Sequence, residues 1–236
     1  MNNISGYSNF VDGPYNLITG ADNKIEGDSF LVSGNENKAI KSTNGLGVAN
    51  GIIGEWNTII GDYSGCFIAG SKNTIDTSSI GGGNRGHMTV TGLSNYLKDS
   101  DESFVTGSNN TVVNSEYSLV AGYRNSLTGC PYAFCCGSDN TISDGTSFLI
   151  GGSSFEIEFL TNSILCGRTS QFNTVHNSII NAEDSHASQV YDSLMIGKIE
   201  VTSDVLRSVI FGKNIQLASS TDSFVAGATQ VNGSID

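Results

Sequence analysis

The sequence predicts an all-β protein, a single-stranded parallel β-solenoid (a β-roll) of about 15 coils with a repeat of about 15 residues. Three observations predict this fold class. Glycine recurs along the chain, mostly at steps of 14, 15 or 16 residues. Asparagine often follows these glycines by three residues, and short apolar segments flank both. No apolar stripe at helical spacing persists for more than about one turn.

The clearest copies of the repeat lie between Ser103 and Ser143. Aligning Gly107, Gly122 and Gly137 places an asparagine three residues after each glycine and an apolar residue five after it. The segment before each glycine is predicted to be a short strand. Glycine permits a positive φ at the following corner, and asparagine suits a corner because it can adopt αL or bond nearby backbone. A second short strand and a polar corner complete one coil.

Residues 1–236 are predicted to form one solenoid domain with irregular insertions near 35–54 and 71–92. The first insertion is predicted to be a loop between coils, and the second is either one long loop or a compressed extra coil around Gly83. The turn column comprises Gly20, Gly34, Gly54, Gly70, Gly107, Gly122, Gly137, Gly151, Gly167, Gly197, Gly212 and Gly227, with Asn23, Asn57, Asn73, Asn110, Asn125 and Asn140.

Stacked coils place equivalent residues about 4.8 Å apart, so asparagines of one column can form a side-chain ladder. Several strands carry two consecutive apolar residues, which face opposite sides of a strand. A thin coil encloses only one side, so we expect neighbouring subunits to cover the other and predict a homotrimer. These pairs are Phe224-Val225, Leu194-Met195, Ile179-Ile180 and Phe148-Leu149.

Charge and composition exclude several classes of function. The formal net charge of −12 argues against nucleic-acid binding, because phosphate neutralisation requires an excess of Lys and Arg. The N-terminus lacks the pattern of a signal peptide, and no apolar run is long enough to insert in a membrane. The five cysteines are odd in number, so we expect them to be reduced and the protein to be assembled in a reducing cytoplasm.

The segments NSLTG, DSFVAGATQV, DSLMIGKIEV, RSVIFGKNIQL and NSILCGRTSQF resemble the YadA-like head repeats of trimeric autotransporter adhesins and related bacteriophage tail-fibre repeats. The resemblance covers nearly all of the chain and implies a trimeric, left-handed parallel β-roll used for surface attachment. The chain departs from the adhesins because a signal peptide, a heptad stalk and a membrane anchor are not expected. These departures favour a virion fibre, a decoration protein or an excised fragment.

Few residues suggest chemistry. Glu156 and Glu158 lie on one face of a predicted strand, where paired carboxylates could hydrolyse glycosides or simply be solvated. The three histidines, His87, His176 and His186, lack metal-ligand spacing, and exposed corner positions are the simpler interpretation. Cys136 and Cys166 precede column glycines, which favours small interior packing residues. We therefore predict no catalytic residue, no cofactor-binding residue and no metal site.

Aromatic residues at the corners are the remaining candidates for binding. Trp56, Tyr63 and Tyr123 are the possible ligand contacts, since exposed rings offer apolar area with a polar handle. Packing against the adjacent coil is the alternative interpretation of these rings. Tyr96, Tyr117 and Tyr132 share the same kind of position.

The sequence favours a non-enzymatic structural or adhesive fibre, or a virion decoration protein, that presents weak binding sites on a trimeric rod. Its expected partners are a host-surface glycan or protein, or other virion or fibre components, and its expected location is a virion or an extracellular surface structure. Two alternatives remain open. One is a carbohydrate-active tailspike with glycosidase or lyase activity, and the other is an assembly protein that docks onto a capsid or tail.

Overall fold

The structure is a computed structural model. It describes residues 1–41, 48–62, 64–78, 86–143, 149–161, 164–177, 179–192, 194–201, 205–207, 209–211, 215–217, 220–222, 224–227 and 230–231. The chain divides into two compact units, Met1–Tyr123 and Arg124–Asp236.

The first unit is a parallel β-solenoid of about eight turns, built from two columns of short strands. Odd-numbered strands form the first column and even-numbered strands form the second. In order, the strands are β1 (Asn3–Tyr7), β2 (Phe10–Asp12), β3 (Leu17–Ala21), β4 (Lys24–Glu26), β5 (Asp28–Asn35), β6 (Lys38–Lys41), β7 (Val48–Glu55), β8 (Thr58–Gly61), β9 (Phe67–Ser71), β10 (Thr74–Thr77), β11 (Thr89–Leu93), β12 (Tyr96–Lys98), β13 (Phe104–Ser108), β14 (Thr111–Val113) and β15 (Leu119–Tyr123).

The register of these strands is the register of the sequence repeat. Gly20 pairs with Gly34, and Gly92 pairs with both Gly70 and Gly107. The strand pairings described in this unit are all parallel, because each strand pairs with the corresponding strand of the next coil and the chain runs in the same direction in both. This arrangement confirms the all-β parallel solenoid.

The core of the first unit is a thin double column of aliphatic side chains. One residue of each strand, the second residue in most of them, points into the core, because side chains alternate across a strand and only one face is enclosed. These residues are fully buried. First-column strands contribute Ile18, Val32, Ile52, Ile68, Val90, Val105 and Val120, and second-column strands contribute Ile25, Ala39, Ile59, Ile75, Leu97 and Val112.

The column glycines are required by close packing as much as by turn geometry. Gly107 has φ 109°, which side-chain-bearing residues rarely adopt. A Cβ atom on Gly107 would overlap the backbone carbonyl of Gly122 on the next coil. The same overlap occurs at Gly20, Gly34, Gly54 and Gly70.

The left-handed corner residue is not the asparagine itself but the residue before it. Asp22, Trp56 and Asn109 have φ of 57°, 55° and 57°. The asparagine that follows each of them turns its side chain into the core instead. Of the two roles expected for asparagine, bonding nearby backbone is therefore the one that the structure shows.

Both insertions leave the stack of strands uninterrupted. β5 pairs with β7 across the first insertion, and β9 pairs directly with β11 across the second. Because β9 has β7 on its other side, no extra coil separates β9 from β11. Residues 42–47 and 79–85 of the two insertions, with Gly83, lie outside the described residues.

The second unit is also built from parallel strands, and some of its later coils carry a third short strand. Val190 at the end of β21 pairs with β24, which pairs with β27. The strands are β16 (Ser126–Thr128), β17 (Phe134–Ser138), β18 (Thr141–Ser143), β19 (Leu149–Thr161), β20 (Ile164–His176), β21 (Ile179–Val190), β22 (Leu194–Ile196), β23 (Ile199–Val201), β24 (Val205–Leu206), β25 (Val209–Phe211), β26 (Ile215–Leu217), β27 (Ser220–Thr221), β28 (Phe224–Ala226) and β29 (Gln230–Val231).

The assignment of Gly151 to the turn column is wrong by one residue. Gly151 pairs with Cys166, whereas Gly152 pairs with Gly167. The alignment Phe134↔Leu149 likewise makes Leu149-Ile150 the apolar pair instead of Phe148-Leu149. Two adjacent glycines allowed either alignment from spacing alone, and strand pairing selects the second.

The other column glycines of this unit keep their predicted places where the structure describes them. Gly167 pairs with Ala182, and Gly197 and Gly227 have φ of 106° and 92°. Gly212 lies outside the described residues.

A pair of glycine substitutions tests this register. Gly107→Ala introduces both a φ conflict and an overlap with Gly122, so we expect a loss of more than about 2 kcal/mol of unfolding free energy. Gly151→Ala is the matched control, because the nearest atom to its added Cβ is Cys136 Sγ at 4.0 Å. We expect the control to change stability by less than about 0.5 kcal/mol. Urea denaturation followed by circular dichroism measures both, and equal losses would show that the register is wrong.

Candidate functional site

A ladder of buried asparagines runs along one corner of the solenoid. Asn73 is fully buried and donates from Nδ2 to Asn57 Oδ1 at 3.1 Å and to the Gly92 carbonyl at 2.8 Å. Its Oδ1 accepts the backbone N–H and the Nδ2 of Asn95 at 3.0 and 3.1 Å. Each asparagine thus joins the coil before it to the coil after it.

The predicted members Asn23, Asn57, Asn73 and Asn110 all belong to this ladder in the first unit. Asn9, Asn37 and Asn95 also belong to it, although they were not among the predicted residues. The sequence carries the same signal for them, since they lie three residues after Gly6, Gly34 and Gly92. In the second unit Asn140 Nδ2 donates to Asn125 Oδ1 at 2.7 Å.

A column of exposed apolar side chains covers one outer face of the first unit. It consists of the apolar residues of first-column strands that lie immediately before the buried core residue. Phe104 is 41% exposed and Leu31 is 48% exposed, while the adjacent Val105 and Val32 are fully buried. The face, which we call the apolar face, is formed by Leu17, Leu31, Phe67, Phe104 and Leu119.

The second unit shows the same alternation where its side chains are described. Phe134, Ile179 and Phe224 occupy the equivalent first positions and are exposed. Cys136 is half-exposed and lies on the outer side of its strand, as Ala121 does, so the interior role expected for it is wrong. Strand alternation places the neighbouring Cys135 inside instead. The side chain of Cys166 is not among those described.

The corner aromatics do not form one site. Trp56 is 46% exposed, and Lys72 Nζ lies 5.4 Å from its ring centroid in a cation–π contact. Tyr123 is also exposed but belongs to a coil four turns further on, roughly 19 Å away at the usual strand spacing. Tyr63 lies outside the described residues.

The carboxylate candidates lie on one strand, in register with neutral polar residues. Glu156 pairs with Thr141 and Gln171, and Glu158 pairs with Ser143 and Asn173. The register therefore adds no third carboxylate to this pair.

The histidines lie apart. His87 is exposed at a corner, His176 is half-buried beside Tyr191, and His186 pairs with Glu200 in the strand register. No cluster of three or more His, Cys, Asp or Glu side chains that could hold a metal ion occurs within the described residues.

A small cleft of about 250 Å³ lies at a corner of the first unit and is lined by Ser64, Gly86, His87, Asp101 and Glu102. It borders the second insertion.

The part of the chain that the structure describes contains no helix long and apolar enough to cross a membrane.

No protein-family model matches the chain, and no curated protein or solved structure matches it significantly.

The asparagine ladder is tested by making the same substitution, Asn to Asp, separately at a ladder residue and at its exposed neighbour. Asn110 donates from Nδ2 to Asn95 Oδ1, the Thr106 carbonyl and the Gly122 carbonyl at 3.0 to 3.2 Å. Asn110→Asp replaces this donor with a buried carboxylate oxygen facing acceptors, so we expect a loss of about 3 kcal/mol or more at pH 7. The loss should shrink as acid protonates the new carboxyl group.

The control is Asn109→Asp, because Asn109 is exposed and aspartate tolerates its left-handed backbone. Chemical denaturation of both variants measures the difference. Equal and small losses would mean that the ladder does not hold the coils.

Burial raises the pKa of the Cys66 thiol to about 11, partly offset by a hydrogen bond to the Met88 backbone. Below about pH 8 this thiol is mostly protonated in both folded and unfolded chains. Between pH 9 and 11 only the unfolded chain ionises, so stability should fall by about 2 to 3 kcal/mol across this window. Cys66→Ala should remove that part of the pH dependence. Identical slopes in both proteins would show that the thiol is not buried as described.

Proposed function

We propose that the chain is a non-enzymatic structural or adhesive fibre protein, a homotrimer built on a parallel β-solenoid of about 15 coils. The trimer presents weak binding sites in three copies, so that multivalency multiplies a modest affinity. Its proposed setting is a virion fibre, a virion decoration or an extracellular surface structure. The resemblance to adhesin-head and tail-fibre repeats supports this proposal.

The observation that carries the proposal is the apolar face. Phe67, Phe104 and Leu119 are each more than a third exposed and occur on coils that stack in one unit. Large exposed apolar patches on soluble proteins mark interaction surfaces, because water contact with them is unfavourable. The exposed apolar residues recur along the stacked coils, so they suit a partner surface with the same repeat. Another copy of this chain has such a surface.

The composition of the strand supports close packing on this face. The outward residue two positions after the apolar residue is small or hydroxylated in Thr19, Ala69, Thr106 and Ala121. Small residues beside large ones let neighbouring surfaces interlock at interior-like density. The resemblance to the head repeats of trimeric adhesins favours three copies about the rod axis.

The proposal is tested by charging the apolar face. The double variant Phe104→Glu with Leu119→Glu places carboxylates at two successive exposed positions of this face. Burying them in a subunit interface is costly, so we expect a monomer with an unchanged circular-dichroism spectrum. Analytical ultracentrifugation of the wild type at micromolar concentration should give a trimer.

The matched control is Thr74→Glu with Thr111→Glu, which adds the same charge to outward positions of the second strand column. This control should remain trimeric. A wild type that sediments as a monomer, or a control that dissociates as fully as the test variant, would contradict the proposal.

A further inference from the structure

A cleft of about 340 Å³ lies at a corner of the second unit, and none of the described residues that line it was singled out for binding by the sequence. The described residues that line it are Tyr191, Asp192, Leu206 and Arg207. They come from two successive coils, since Leu206 follows Val205, which pairs with Val190. A volume of this size falls at the lower end of the range of small-ligand sites.

The corner has a regular backbone that projects polar side chains outward. Asn177, Asp192, Arg207 and Asp222 occupy the same position on four successive coils and have φ between 39° and 50°. All four are exposed. The cleft therefore has a polar rim that the solenoid repeat holds at fixed spacing.

The aromatic wall of the cleft is held in place from behind. The His176 ring stacks on the Tyr191 ring, with centroids 5.3 Å apart and planes 12° apart. Leu206, one coil further along the solenoid, lines the cleft together with Tyr191. A ring fixed in this way loses little conformational entropy when a ligand stacks on it.

The rim pairs an acceptor with a donor. Arg207 Nε lies 3.7 Å from Asp192 Oδ2, and Asn177 Nδ2 donates to Asp192 Oδ1 at 3.4 Å. Both separations exceed those of strong hydrogen bonds, so the carboxylate and the guanidinium retain bonding capacity toward the cleft. A guanidinium donor next to a carboxylate acceptor can bind two neighbouring hydroxyl groups of one ligand, because each hydroxyl both donates and accepts a hydrogen bond.

We propose that this corner cleft binds one neutral pyranose unit of a glycan. The apolar face of the sugar stacks on Tyr191 and contacts Leu206, and its hydroxyls bond Asp192 and Arg207. A neutral sugar is favoured because the Arg207 charge is already balanced by Asp192 and the chain carries a net charge of −12. The proposed role of this site, weak binding multiplied by three copies, rests on the proposed function. The geometry of the cleft does not depend on that proposal.

The test is saturation-transfer NMR and calorimetry on the full chain, with methyl glycosides of neutral hexoses and N-acetylhexosamines as probes. A single site of this size should bind at least one probe with Kd on the order of 1 mM. Tyr191→Ala should weaken that binding at least tenfold, and Arg207→Gln should weaken it severalfold. The control is Tyr132→Ala, which removes an exposed corner tyrosine of the same unit and should leave binding unchanged.

Sedimentation of the same samples separates this inference from the proposed function. A trimer that binds no neutral glycoside, or binds one equally well after Tyr191→Ala, overturns the cleft and leaves the fibre proposal standing. A monomer that binds a glycoside through Tyr191 supports the cleft and overturns the trimer. Saturation by a peptide instead of any sugar would also overturn the assignment of ligand class.

Discussion

The asparagine ladder is the interaction on which the rest of the structure depends. A solenoid coil of 14 or 15 residues buries only one aliphatic side chain from each short strand, so its hydrophobic core is thin. Corners of such coils carry backbone groups that neither strand column can pair. Asn73 and its equivalents occupy those corners and satisfy carbonyls of the next coil and the side chain of the previous one. Without them, buried polar groups would be left unpaired at every turn.

The glycine column follows from the ladder. An asparagine can reach the Gly92 or Gly107 carbonyl of the next coil only if the two backbones approach closely. That approach leaves no room for a Cβ atom, as the overlap at Gly70 and Gly92 shows. In the first unit glycine and asparagine therefore recur together at a spacing of three, whereas the later glycines Gly167, Gly197 and Gly227 are followed at that spacing by Ser170, Glu200 and Gln230.

The thinness of the coil also determines the outer surface. With one face of each strand enclosed, every second residue must project outward, and in this chain many of those residues are Leu or Phe. The interior holds the coils in register, and the exterior provides area for interaction. Regular geometry then offers the same corner to each coil, so chemistry can vary from coil to coil without altering the fold, as at Asn177, Asp192 and Arg207.

The spacing of Gly and Asn in the sequence is sufficient to predict the parallel solenoid and most residues of the turn column, because these two residue types have specific backbone roles. It was insufficient at Gly151, where Gly152 fits the pattern equally well and only strand pairing separates them. It misplaced Cys136 because one residue of offset exchanges the inner and outer faces of a strand. Sequence spacing does not reveal the Tyr191 cleft, since His176 and Leu206 become neighbours of Tyr191 only through the register of successive coils.

We infer that the buried ladder, more than the thin core alone, holds successive coils together. Native-state hydrogen exchange measured by NMR tests this role through the backbone amides of Asn73 and Asn95, which donate to ladder oxygens. These amides should exchange only by global unfolding, with the same free energy as the amide of the core residue Val90. Exchange of the ladder amides through local opening, at a free energy several kcal/mol below that of Val90, would show that the ladder does not hold the coils.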